Sequence, residues 1–169
     1  MSRKRNGFSL IELLMVVTVI LVIAALAIPS FLRSRMTANE GSAVASLRSI
    51  FTANTTYETS YGNGYAPDLP SLAGAPPASC QGADLIDGML AAGQKSGYSF
   101  TYVAGGAVPV GAAGCTPGAL GFTVQATPVV AGSSGQRSFC VDESGVVRFD
   151  PSGTVISAPC GASGAAAIE

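Results

Sequence analysis

The chain opens Met1-Ser-Arg-Lys-Arg-Asn-Gly7 and continues Phe8-Ser-Leu-Ile-Glu12-Leu13, after which only Thr18 interrupts an apolar run as far as Ile28. Counted from Phe8 to Leu32, the stretch is about 37 Å long as a helix, enough to cross a bilayer. The basic leader predicts that the amino end stays cytoplasmic and the remainder lies outside. Glu12 is the one charge within this segment. Placing a carboxylate in hydrocarbon costs about 2.5–3.5 kcal/mol on insertion scales, so the residue is a functional candidate by default. What neutralises Glu12 is therefore the question that decides what the chain does.

The rest of the chain narrows the classes. Charged residues make up 11% of the sequence, against roughly 25% in ordinary soluble domains. Arg3, Lys4 and Arg5 all lie in the leader, and beyond it six Lys/Arg face ten Asp/Glu with no basic run. Such a body is not a nucleic-acid binder on charge grounds, because phosphate neutralisation needs clustered cations. There is no histidine. A nucleophile would thus lack its usual base, and a mixed zinc site would lack its usual partner. Cys80, Cys115, Cys140 and Cys160 form no C-x-x-C pair. Their wide, even-numbered spacing in an exported chain favours two disulfides. No catalytic residue, metal site or cofactor is expected.

The helical pattern continues past the apolar run. Val44, Leu47 and Phe51 recur at helical spacing, with Asn54, Tyr57 and Tyr61 extending the stripe. One helix from about Ser9 to about Tyr61 would be roughly 80 Å long, more than a small globular domain needs, so its first half is expected to project. Pro29 falls inside it and predicts a kink or loosened turn. Breakers from Gly62 to Pro70 end the helix. A connector over 62–96 is expected to hold one short helix near Asp84–Ala92, with Asp84 as N-cap. Alternation at Tyr98, Phe100 and Tyr102, at Phe122 and Val124, and at Phe139 and Val141 reads as strands. Asp142-Glu-Ser-Gly145 reads as a tight turn into Val146–Phe149, and Asp150-Pro-Ser-Gly153 as a second turn. The Gly/Ala-rich stretches 104–121 and 161–167 read as loop and tail. The expected fold is α+β: a leader (1–7), a membrane half (8–32) and an amphipathic half (33–61) of one helix, the connector, and a small antiparallel sheet of three to four strands within 97–169.

Gly7-Phe8-Ser9-Leu10-Ile11-Glu12-Leu13, followed by the apolar run and Pro29, resembles the amino-terminal signature of the type IV pilin family, which includes the pseudopilins of type II secretion. Glycine precedes the cut, phenylalanine follows it, glutamate is fifth in the mature chain and proline is twenty-second. The resemblance covers residues 1 to about 35 in sequence, and the layout of the remainder is similar to small type IVa pilins. It implies cleavage between Gly7 and Phe8 by a prepilin peptidase, N-methylation of Phe8, and residence in the inner membrane before assembly. It implies a homo-oligomeric extracellular filament built by an assembly ATPase and a membrane platform. It also implies softness of the helix over Leu21–Pro29. Cleavage creates an ammonium four residues from Glu12, and in a filament a neighbour's ammonium can meet this carboxylate. A carboxylate snorkelling to the cytoplasmic interface is the simpler role. The four cysteines allow three connectivities. Pairing of sequence neighbours gives Cys80–Cys115 and Cys140–Cys160, the latter closing a loop near the carboxy end much as pilins do.

Rival readings are a secretory signal peptide cut after Ala25-Leu26-Ala27, a pseudopilin or minor pilin, and a membrane-anchored binding module. Arg33 and Arg35 mark the outer membrane boundary, seek acidic partners such as Glu40 in a filament, or are simply solvated. Phe51, Tyr57 and Tyr61 are expected to meet the sheet. Asn54-Thr55-Thr56 fits a glycosylation sequon. Asp142, Glu143 and Asp150 are placed to form a calcium site between two turns, and a solvated hairpin is the preferred reading.

Overall fold

The computed structural model describes residues 8–109, 111–156, 160 and 165–168. These divide into two compact units, Met1–Arg35 and Met36–Glu169. Helix α1 (Leu10–Tyr61) contributes to both. Its first stretch buries none of its large apolar side chains: Ile11, Ile20, Leu26 and Phe31 are all more than half exposed. Pro29 lies within α1, which stays helical on either side of it.

In the second unit α1 buries Glu40, Ala43, Ser46, Leu47, Ile50, Ala53, Asn54 and Tyr57. The spacing is that of one helical face. Its centre lies at Leu47, Ile50, Asn54 and Tyr57, while Val44, Phe51 and Tyr61 sit half-buried on the flank. That face packs on an antiparallel sheet of six strands in sequence order: β1 (Gln94–Lys95), β2 (Tyr98–Ala107), β3 (Ala119–Pro128), β4 (Ser138–Asp142), β5 (Arg148–Asp150) and β6 (Ala166–Ala167). The α+β architecture is as expected, but the sheet exceeds three to four strands. The extra strands β1 and β6 are two residues long and too short to show alternation. The Gly/Ala-rich segment 104–121 is also strand at both ends, with Gly105 opposite Gly121 and Ala107 opposite Ala119. Strand pairing uses backbone groups, so a stretch without packing side chains can still join the ladder. Likewise Ala166–Ala167 is a strand and not a plain tail.

The inner face of the sheet carries Tyr98, Phe100, Phe122, Val124, Phe139 and Val141, all buried against α1. A second, smaller cluster covers the other face of β4: Cys140, Ile156 and Cys160 are buried there, with Ala165 packed against them. At the end of β4, the Asp142–Gly145 turn closes with Gly145 N–H bonded to Asp142 O. Gly145 has φ +75°, and a β-carbon there would come within 2.8 Å of the Phe51 ring. Glycine is required at that site both by backbone conformation and by space.

The connector holds two short helices where one was expected. These are α2 (Leu69–Leu72), capped by Asp68, and α3 (Gly88–Ala91), capped by Asp87. Asp84 is not the cap; its φ is +53°. Asp87 accepts the Leu90 N–H and also pairs with Lys95 at 2.7 Å. Its carboxyl is held below the ordinary range by Lys95 first and by the helix N–H groups second.

Candidate assembly site and the contacts that hold the body

Phe8 is 76% exposed, and Glu12 stands in the first turn of α1 with its side chain in the open. Gly7, the residue before the expected cut, lies outside the described residues. A helix N-terminus carries partial positive charge, which favours a carboxylate in its first turn. The hydroxyl of Thr18 donates to Met15 O at 2.8 Å, so the other polar side chain in the run is satisfied within the helix. This stretch of α1 is long and apolar enough to cross a membrane, and none of it is buried in the protein. Such a surface in water would associate or insert.

Residues 2–28 match the family described as the prokaryotic N-terminal methylation motif. The chain carries a type IV pilin/pseudopilin leader. No curated protein and no solved structure matches it significantly. The match spans the glycine–phenylalanine junction, Glu12 and the apolar run as far as Ile28. It implies processing by a prepilin peptidase and an inner-membrane stage.

In the body, the structure brings together residues that the sequence did not connect. Glu40 is 7% exposed. One of its oxygens accepts the backbone N–H groups of Gln136 and Arg137 at 2.9 and 3.2 Å. The other accepts Arg137 Nε and Nη2 at 2.9 and 2.6 Å. The guanidinium also lies 5.8 and 5.5 Å from the Phe139 and Phe149 ring centres, within cation–π range. Burial pushes the Glu40 carboxyl up, but the Gln136 N–H and the Arg137 contacts outweigh it and hold it below the ordinary carboxylate range. Glu40 is thus engaged by Arg137 of its own chain. Arg33 and Arg35 are exposed.

Asn54 is fully buried and is therefore no acceptor for a glycan. Its Oδ1 accepts Ala66 N–H at 3.2 Å and Tyr102 O–H at 3.0 Å, and its amide donates to Ile50 O. Tyr102 O–H also lies 2.6 Å from Ala66 O. Burial, above all, raises the Tyr102 hydroxyl pKa well beyond the ordinary tyrosine range. Asn63 makes a matching bracket, donating to Thr116 O and accepting Ala112 N–H. The sequence signal for both was a polar residue on or just after an apolar stripe. Tyr57 meets Tyr61 at 4.9 Å between ring centres, and Phe51 meets Phe122 at 6.4 Å.

Disulfides join Cys80 to Cys115 and Cys140 to Cys160, with Cα separations of 5.7 and 5.9 Å. The first ties the connector to the loop between β2 and β3. The second draws the carboxy-terminal segment onto β4. Asp142 and Asp150 each use a carboxylate oxygen to close their own turn, on Ser144 and Ser152 respectively.

Proposed function

We propose that this chain is the structural subunit of a type IV pilus, cleaved after Gly7, N-methylated at Phe8, and polymerised from the inner membrane into an extracellular filament. The observation that carries the reading is Glu12, a carboxylate on the otherwise apolar, exposed first stretch of α1 and within the matched motif. In the membrane, the apolar helix is covered by lipid. In the filament, helices of neighbouring copies cover one another, and the new ammonium at Phe8 of one copy pairs with Glu12 of another. The pair is low in energy only at the correct stagger, because either charge left alone in low dielectric is costly. Glu12 thereby sets the register of assembly. The small residues Ala24, Ala25 and Ala27 permit close helix approach, and Pro29 leaves a carbonyl without its helical donor, a point of compliance.

Two measurements test this. Mass spectrometry of sheared surface filaments should give an amino terminus at methylated Phe8; one at Ile28 would establish the signal-peptide reading instead. Glu12→Ala should abolish filaments while the protein remains in the membrane fraction. Filaments of normal number from that variant would overturn the pairing mechanism.

A further inference from the structure

The outer edge of β2 is an open hydrogen-bonding ladder. β1 covers only Tyr98 and Ser99, and Phe100 N–H donates to Gly93 O on the same side. Alternation along the strand then aims the backbone groups of Tyr102 and Ala104 at that side, while those of Thr101 and Val103 point to β3. Among the described residues, no bridge or backbone bond reaches Tyr102 or Ala104 from there. From Val103 to Ala107 every residue of β2 is exposed. Natural edges are usually blunted by charge, proline or a bulge that turns them away. Here Thr101–Ala107 holds neither a charge nor a proline, and the paired strand β3 has no charge and its only proline at its end.

We propose that this edge is a pairing site for a second copy of the same chain, β2 against β2, antiparallel, about a two-fold axis at Val103. In that register Tyr102 and Ala104 of one copy exchange N–H···O=C bonds with Ala104 and Tyr102 of the other. Val103 meets its own counterpart as a non-hydrogen-bonded pair, with β-carbons about 4.5–5.5 Å apart. Gly105 and Gly106 present no side chain to obstruct the approach. The uncharged ribbon brings no like charges face to face, which is what ordinarily keeps identical edges apart. Val103 lies on the face opposite Tyr102 and is 42% exposed.

A two-fold contact uses the same patch on both partners and closes on two copies. It therefore does not propagate along one helical filament; it joins copies in separate filaments, or copies not yet assembled. A weak contact repeated along two filaments becomes a strong one by multivalency. Lateral bundling is the expected consequence, and that consequence alone rests on the pilus reading. The pairing itself belongs to the chain.

The test separates the two. Full-length Val103→Cys protein in detergent is exposed to mild oxidant; the native cysteines are all disulfide-bonded and do not compete. A reducible dimer linked through residue 103 is expected, and it should be lost when Ala104→Pro removes the edge N–H. Val130→Cys, similarly exposed but off the edge, should give little. Should Ala104→Pro fail to fold, Val103→Lys places two ammonium groups opposite each other and should shift sedimentation from dimer to monomer. It should also disperse bundles in micrographs of assembled filaments. No dimer, a dimer indifferent to Ala104→Pro, or a yield no greater than from Val130→Cys would overturn the proposal. Capture solely of a different protein by residue 103 in cells would overturn it in favour of an added foreign strand. Absence of filaments with the dimer intact would count against the pilus reading alone.

Discussion

Asn54 shows how one side chain can change meaning between sequence and structure. In the sequence it begins a sequon; in the fold it is buried and bonds three elements. Asn54→Ala leaves Ala66 N–H and one side of the Tyr102 hydroxyl without their partner, so about 2–3 kcal/mol of stability should be lost, measured by urea denaturation. Glu40 is the second case. Its folded pKa is lowered from the ordinary 4.5. The stability it contributes is therefore present above the unfolded value and lost as pH falls through the lowered folded value. Glu40→Gln should cost about 2 kcal/mol near neutral pH, less than a fully buried pair because the Arg137 side chain is 44% exposed. The gap between wild type and variant should narrow in thermal melts as pH drops below about 4.5. A gap that widens on acidification would contradict the assignment.

At the scale of elements, the carboxy-terminal segment is an addition to the sheet held by one cross-link. Cys140 and Cys160 are both 0% exposed, whereas Cys80 and Cys115 are partly exposed. Short reduction followed by alkylation should label the 80–115 pair first, and the 140–160 pair only as the body opens. Changing both Cys140 and Cys160 to Ser should cost roughly 3 kcal/mol in the chain-entropy view, and should raise proteolysis around Ile156 before that of β2 or β3. Gly145→Ala should also destabilise, since the new methyl meets the Phe51 ring and the backbone is left-handed there. The short helices repeat the lesson of local chemistry. The sequence points to Asp84 as a cap, yet the residue that caps α3 is Asp87, whose side chain accepts the helix N–H three residues on.

Across the whole molecule, two units carry two kinds of surface. One is an apolar helix with nothing covering it; the other is a body with a closed core and a charge-poor sheet edge. The first exposes apolar surface to solvent, and the second has a strand edge with unpaired backbone groups among the described residues. The Glu12→Ala and Val103→Cys experiments address these surfaces independently, so filament formation and lateral pairing can fail separately.

The sequence alone determined the leader, the apolar helix, the helical stripe and the aromatic strands. Each is written in neighbouring residues, through charge, hydropathy or a period of two or 3.6. Only the tertiary structure decided that Glu40 meets Arg137, that Asn54 meets Ala66 and Tyr102, and that glycine- and alanine-rich segments extend the sheet. Those contacts join residues far apart in the chain, or rest on backbone groups that every residue shares, and local pattern carries no record of either.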